Sequence, residues 1–274
     1  MIFCEVIVIE KNMVLFDMDG TLTPAREAAD IPIALALREL SRHANIGIVT
    51  GSHFEYLRQQ CETILNSLIG PDLDRIFLFP CNGGQYYRWH NAAWEMMADK
   101  NMQDFLGQQK FNELIKTCVF VLNAALEDCG VEPWNLSGNF VEYRGPMVNL
   151  CFPGRQANKI DRTKFQKMDS VYDMRNIALN RLRGKLIMDD VANLECKLGG
   201  NTSIDIFPSG WNKLLALEHI KDSTVWFVGD RCEGDGNDRE IYEYAAKANR
   251  GFQTNNPSQT ITIIDEIVKQ IRGK

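Results

Sequence analysis

The chain has no run of about 20 consecutive apolar residues, so nothing in it reads as a membrane-spanning helix. Twenty glycines and nine prolines among 274 residues are too few for a fibrous or low-complexity chain, and an apolar share of 45% is too high for disorder. Positive charge is in deficit, with 30 Lys and Arg against 36 Asp and Glu and a formal net charge of −6. Such a chain sets up no general field for nucleic acid or an anionic membrane. Neither is expected as a partner, and a phosphate-bearing ligand has to be held by local cations. The eight cysteines are scattered without a CxxC pair. That spacing fits neither a zinc site nor a small disulfide scaffold, and it predicts reduced thiols in a cytoplasmic protein. Residues 1–10 are apolar but lack a basic n-region and a small-residue cleavage site, so they do not read as a signal peptide.

What is present is alternation. Met13-Val14-Leu15-Phe16 is a short apolar run ending in Asp17, as a buried parallel strand should. Helical spacing follows over 33–43, with Leu35, Leu37 and Leu40 among polar neighbours, then a strand at 45–50, a helix at 54–68 and a strand at 76–79. The middle of the chain differs. Helical stretches at 102–129 and 161–182 are interleaved with strand-like segments at 139–144, 147–152, 185–188 and 202–207. From Trp211 the first pattern returns, with a helix to Ile220, a strand at 225–228, a helix from Asn237 and a last helix at 260–271. The expectation is an α/β fold: a core with a parallel sheet, residues 1–87 and 210–274, interrupted by an α+β domain with an antiparallel sheet, residues 88–209.

The chemistry concentrates in Asp17-Met18-Asp19-Gly20-Thr21-Leu22-Thr23. A strand delivers two carboxylates at i and i+2, and Gly20 lets the chain turn sharply. The carboxyl end of a parallel strand faces the crevice where α/β proteins bind ligands. Two adjacent carboxylates repel, so they need a cation or a shared proton. Mg²⁺ fits, because it also neutralises phosphate. Asp17 could then attack phosphorus, and Asp19 could move protons as general acid and base. Thr50-Gly51-Ser52 ends a strand with hydroxyls able to donate to a phosphoryl oxygen. Lys213, near a helix start, could clamp the same group. Gly229-Asp230 opens an acidic loop that reaches Asp238. Each of these alone reads as an ordinary structural residue; their order behind Asp17 gives them weight.

That order resembles the haloacid dehalogenase superfamily. The resemblance implies a Rossmann-like core with Asp17 as nucleophile, Asp19 as acid/base, and Mg²⁺ held by Asp17, the Asp19 backbone carbonyl and Asp230, with Asp238 a further candidate. The insertion at 88–209 is similar to the superfamily's C2-type cap. A closer similarity covers most of the chain. The segment from Leu15 to Arg26, the stretch Gly138-Asn139-Phe140-Val141-Glu142-Tyr143-Arg144-Gly145-Pro146-Met147-Val148-Asn149, the run from Gly199 to Lys213 and the loop from Gly229 to Ile241 resemble the eukaryotic-type phosphomannomutase family. This likeness implies exchange of mannose 6-phosphate and mannose 1-phosphate through an aspartyl-phosphate, with a hexose 1,6-bisphosphate as intermediate and activator. It assigns Arg26, Arg144, Arg155 and Arg162 to phosphate and sugar binding and Ser203 and Asp205 to sugar hydroxyls. It also implies a cytoplasmic homodimer joined through the caps. Guanidinium forks suit phosphate, which agrees with the three cap arginines.

The chain departs from that family at several positions. Thr50-Gly51-Ser52-His53 stands where the family has Gly-Gly-Ser-Asp, and Tyr56 where it has Lys. Cys81 replaces an acid before Asn82-Gly83, and Ser137 replaces an arginine. His53 reads as a neutral helix-start residue. Thr-Gly at this point is closer to sugar phosphatases, so a sugar-phosphate phosphatase on the same scaffold is the alternative. A non-catalytic binding relative would have lost Asp17 or Asp19, and both are present.

Overall fold

The computed structural model describes residues 11–130, 134–191, 193–234 and 236–273, except for the side chain of Cys129. Residues 1–10, read above as no signal peptide, lie outside the described residues. The chain divides into two compact units, Met1–Ala98 with Lys213–Lys274, and Asp99–Asn212.

The first unit is built on a seven-stranded sheet. Its parallel part comprises β1 (Asn12–Phe16), β2 (Asn45–Val49), β3 (Ile76–Phe79), β10 (Thr224–Gly229) and β11 (Gly251–Gln253). A hairpin of β4 (Gln85–His90) and β5 (Ala93–Asp99) extends it, with β4 antiparallel to β3, giving the order β11-β10-β1-β2-β3-β4-β5. The central strands are continuous apolar runs because helices cover both faces. Met13 to Phe16 are fully buried. The helix α1 (Ile31–Leu40) starts two residues earlier than its periodicity suggests, because Asp30 accepts from Ile33 N–H and Pro32 occupies the first turn. Its buried stripe is Ile33, Ala34, Leu37 and Leu40; Leu35, expected on that face, is exposed. The helix expected over 54–68 is two, α2 (Phe54–Gln60) and α3 (Glu62–Ser67), broken at Cys61. Lys213–His219 is a 3-10 helix where an α-helix was expected. The helices α8 (Arg239–Ala246) and α9 (Pro257–Arg272) complete the unit.

The second unit is a four-stranded antiparallel sheet, β6 (Val141–Tyr143), β7 (Val148–Cys151), β9 (Ser203–Pro208) and β8 (Leu194–Gly199) in that order. Helices α4 (Met102–Leu106), α5 (Gln108–Cys129), α6 (Lys159–Tyr172) and α7 (Met174–Met188) join it. Left-handed Gly107 and Asp173 break the two long helical patterns into these four. The strand expected at 185–188 is instead the last turn of α7, since Leu186 extends the buried stripe of Ala178, Leu179 and Leu182. The unit boundaries also differ from the expected 87/88 and 209/210. The hairpin turns through left-handed Asn91 and Ala92 and continues the larger sheet, and Tyr87 of β4 stacks on Phe54 at 3.8 Å between ring centroids.

Cys61, Cys81, Cys118, Cys151, Cys196 and Cys232 are buried and unbridged. Among the described residues, no helix is long and apolar enough to cross a membrane.

Candidate active site

The site grows from the end of β1. Asp17 N–H continues the ladder by donating to Val228 O at 2.9 Å, so its carboxylate emerges at the carboxyl end of the parallel strands. The chain then turns tightly, with Met18 O accepting from Leu22 N–H at 2.9 Å and Thr23 N–H at 3.0 Å. Gly20 lies at φ +88, and a Cβ there would fall 2.4 Å from Asp230 Oδ2. Both the backbone angle and the close carboxylate demand glycine.

Three carboxylates meet at this point. Asp17, Asp230 and Asp238 each offer an oxygen within 4.8 Å of the others, the one such cluster among the described residues. Lys213, buried at the start of its 3-10 helix, donates from Nζ to Asp17 Oδ1 and to Asp238 Oδ1, the latter at 2.5 Å. Asp238 is fully buried, and its Oδ2 accepts from Arg231 N–H at 3.0 Å. Burial lifts the Asp17 carboxyl well above the usual carboxylate range; the charges of Asp238 and Asp230 add to this and Lys213 opposes it. Asp230 is pushed up to about 6, first by burial and then by Asp238. Burial works against charge on Lys213, but Asp17 and Asp238 more than reverse this and keep it protonated. One ammonium among three carboxylates leaves an excess of negative charge. An oxygen-rich donor set with that deficit fits a hard divalent cation such as Mg²⁺.

Asp19 points its Oδ1 at two donors, Arg26 N–H at 2.8 Å and Gln60 Nε2 at 2.7 Å. Arg26 adopts φ 63, and its guanidinium lies 5.7 Å from the centroid of the Tyr56 ring. The Tyr56 ring thus carries an arginine on its face. Thr50 follows β2, buried, with Oγ1 accepting from Ser52 N–H at 3.2 Å. That contact leaves the hydroxyl proton available to a phosphoryl oxygen. His53 caps α2, its Nδ1 accepting from Tyr56 N–H at 3.2 Å, so it is the helix-start residue its position suggested.

The remaining expected residues gather on the second unit. Strand pairing aligns Glu142 with Asn149, Asn149 with Asp205, and Asp205 with Lys197 in one row across the sheet. Glu142 Oε2 accepts from Arg144 Nε at 2.8 Å and faces Arg155 Nε at 3.3 Å. Asp205 Oδ1 accepts from Asn149 Nδ2 at 2.6 Å. Burial raises the Asp205 carboxyl, opposed by Arg144 and by the Asn149 bond. Ser203 Oγ donates to Gly199 O at 2.7 Å. Arg162 is buried, and its guanidinium donates to Ala157 O at 2.9 Å, Thr202 Oγ1 at 2.9 Å, Gly154 O at 3.2 Å and Arg155 O at 2.9 Å. As placed, it braces the loop that carries Arg155.

Two residues were missed in the sequence. Glu142 sits two positions before Arg144, a same-face spacing on a strand that could have revealed it. Gln60 lies 41 residues from its partner Asp19 and has no local signal.

Comparison with known proteins accords with this geometry. The sequence model of the family described as eukaryotic phosphomannomutase matches residues 33–270. That match begins after the Asp17 loop, but pairwise relatives extend further. The phosphomannomutase of Encephalitozoon cuniculi is 32% identical over 268 residues, 96% of this chain and 95% of its own. The Saccharomyces cerevisiae phosphomannomutase is 32% identical over 262 residues, 94% of each chain. Among solved structures, an N-terminally truncated, IMP-bound IMP-nucleotidase of Plasmodium falciparum superposes with a TM-score of 0.65 at 15% identity, covering 96% of this chain and 68% of that one. A trehalose-6-phosphate phosphatase related protein superposes with a TM-score of 0.51 at 15% identity, covering 96% of this chain and all of that one. At such identities the likeness is one of fold.

Proposed function

The chain belongs to the eukaryotic phosphomannomutase family, and from that membership we propose that it interconverts mannose 6-phosphate and mannose 1-phosphate. The observation that carries this reading is the buried Asp17–Lys213–Asp238 cluster with Asp230 beside it and Asp19 two residues from the nucleophile.

Asp17, the Asp19 backbone carbonyl and Asp230, with Asp238 as a further candidate, would hold Mg²⁺, which would supply the positive charge the cluster lacks and neutralise phosphoryl oxygens. A carboxylate oxygen of Asp17 attacks phosphorus in a hexose 1,6-bisphosphate. The bond from phosphorus to Asp17 forms, the bond to the sugar oxygen breaks, and Asp19 gives that oxygen its proton. In the return step Asp19 takes the proton from a hydroxyl of the hexose monophosphate as that oxygen takes the phosphoryl group from Asp17. Lys213, the Thr50 and Ser52 hydroxyls and the Gly51 backbone steady the group in transit. Arg26, Arg144 and Arg155 take the sugar and the phosphate that is not transferred, Ser203 and Asp205 the sugar hydroxyls, and Arg162 supports them by bracing the loop that carries Arg155. The bisphosphate primes the enzyme by phosphorylating Asp17. The protein works in the cytoplasm as a homodimer joined through the second unit.

A second reading, a sugar-phosphate phosphatase, is favoured by Thr50-Gly51 and by Tyr56, which replaces a cation beside the phosphoryl site with a ring. Phosphorus NMR with Mg²⁺, mannose 1-phosphate and a trace of glucose 1,6-bisphosphate separates the two. The mutase gives the 6-phosphate resonance. Steady growth of inorganic phosphate instead gives the phosphatase, and no change in either signal overturns mannose phosphate as the substrate while leaving the core chemistry standing.

A further inference from the structure

Gln60 is the last residue of α2 and is 4% exposed. Its Nε2 donates to Asp19 Oδ1 at 2.7 Å and also to the Thr23 hydroxyl, while its backbone carbonyl accepts from Ala29 N–H at 3.0 Å. One residue from a separate helix thus grips the loop after the nucleophile at three points. Its amide is oriented at a cost, because Oε1 is buried without a hydrogen-bond partner. Turning the amide over would relieve nothing at Asp19, since it would set a carbonyl oxygen against a carboxylate.

The second donor on Asp19 is equally constrained. Arg26 N–H reaches the same Oδ1 at 2.8 Å from a residue held at φ 63, a region sparsely used by side chains other than glycine. Two N–H groups on Oδ1 occupy both of its lone-pair directions, so a proton moved by this carboxyl has to ride on Oδ2. We propose that Gln60 is a positioning residue for the acid/base step: with Arg26 N–H it pins Asp19 by Oδ1 and so presents Oδ2 to the sugar oxygen. This rests on the role given to Asp19 above.

The test exploits the leaving group. A sugar oxygen needs a proton as its bond to phosphorus breaks, whereas acetyl phosphate releases acetate, which leaves as an anion. Gln60→Met keeps the chain length and removes the donors; Gln60→Glu keeps the shape and sets a second carboxyl against Asp19. The measurement is the single-turnover rate of Asp17 phosphorylation, with Mg²⁺, from glucose 1,6-bisphosphate and from acetyl phosphate. Both variants should lose about 10- to 100-fold with the bisphosphate, no more than the roughly 10²–10⁴ that a placed acid/base supplies, because Asp19 itself remains. With acetyl phosphate they should stay within about threefold of the wild type, as should the concentration dependence of the bisphosphate reaction.

An equal fall with both donors would reduce Gln60 to a loop support and overturn the proposal, and so would an unchanged bisphosphate rate. Circular dichroism identifies a variant that fails to fold, and the other then carries the comparison. The wild-type rate with the bisphosphate reports the sugar assignment separately. If it is absent while acetyl phosphate still labels Asp17, a simple alkyl phosphate replaces the sugar as the donor that needs a proton, and the same ratio decides.

Discussion

Lys213 is the single ammonium among three clustered carboxylates, and this imbalance shapes how each group behaves. Asp230, lifted to about 6, holds a proton in the folded metal-free protein over a pH range where the unfolded chain has lost it. The folded state therefore binds more protons between about pH 4 and 6, and its stability falls as pH rises through that window, by roughly 3 kcal/mol from this group. Asp17, raised first by burial and then by the neighbouring carboxylates, acts in the same direction. Mg²⁺ bound to the ionised carboxylates, as proposed, should offset the loss above pH 6. Melting temperatures across pH 4–8, in chelator and in Mg²⁺, should diverge as pH rises; parallel curves would show that the cluster holds no ion. The same charge argument fixes the outcome for the nucleophile. Asp17→Asn removes one of the repelling charges and keeps an oxygen for Lys213 to donate to. It should lower turnover by roughly 10³-fold or more while leaving the melting temperature in chelator at least as high as that of the wild type.

Elements differ in how they hold the site, and the Arg162 brace on α6 is the plainest case. Its guanidinium satisfies three backbone carbonyls at 154, 155 and 157 and the Thr202 hydroxyl of the β8–β9 turn. One ammonium cannot reach all four, so Arg162→Lys should leave buried carbonyls unpaired and cost about 3 kcal/mol in a urea titration. Substrate binding should weaken with it, because Arg155 rides on the same loop. Contacts of this kind explain which parts of the molecule were legible in the sequence. The Asp17 loop could be read as a turn carrying two carboxylates because Asp17, Asp19 and the turn glycine Gly20 fall within four residues, behind a strand buried on both faces. Gln60 could not, since only the packing of α2 against that loop makes it a partner of Asp19. The hairpin of β4 and β5 escaped because its turn uses Asn91-Ala92, without the glycine that marks such turns, and because β5 is largely exposed. Unbroken apolar periodicity hid the breaks at Gly107 and Asp173, where backbone handedness ends a helix that the side-chain pattern would continue.

At the scale of the molecule, the chain folds into two units with separate apolar clusters. Trp226, Phe16 and Ile264 share one cluster of the first unit, while Phe152, Phe165 and Leu182 belong to the second. The chemistry is divided in the same way. Every member of the carboxylate cluster, together with Lys213, Asp19 and Gln60, belongs to the first unit; Arg144, Arg155, Arg162, Ser203 and Asp205 belong to the second. A ligand that binds only the folded form of one unit stabilises that form by mass action, about 2.7 kcal/mol at a hundred times its dissociation constant. The proposed Mg²⁺ ligands all belong to the first set. Hydrogen exchange should therefore slow in the Asp17 loop and the Asp230–Asp238 loop on adding Mg²⁺, with β7 and β9 unchanged. On the proposed function, which gives Arg144, Arg155, Ser203 and Asp205 to the sugar and its phosphate, adding a hexose phosphate should slow exchange in the Arg155 loop as well. Protection of β7 and β9 by Mg²⁺ alone would contradict this division, because the ion's ligands would then have to reach beyond the carboxylates of the first unit.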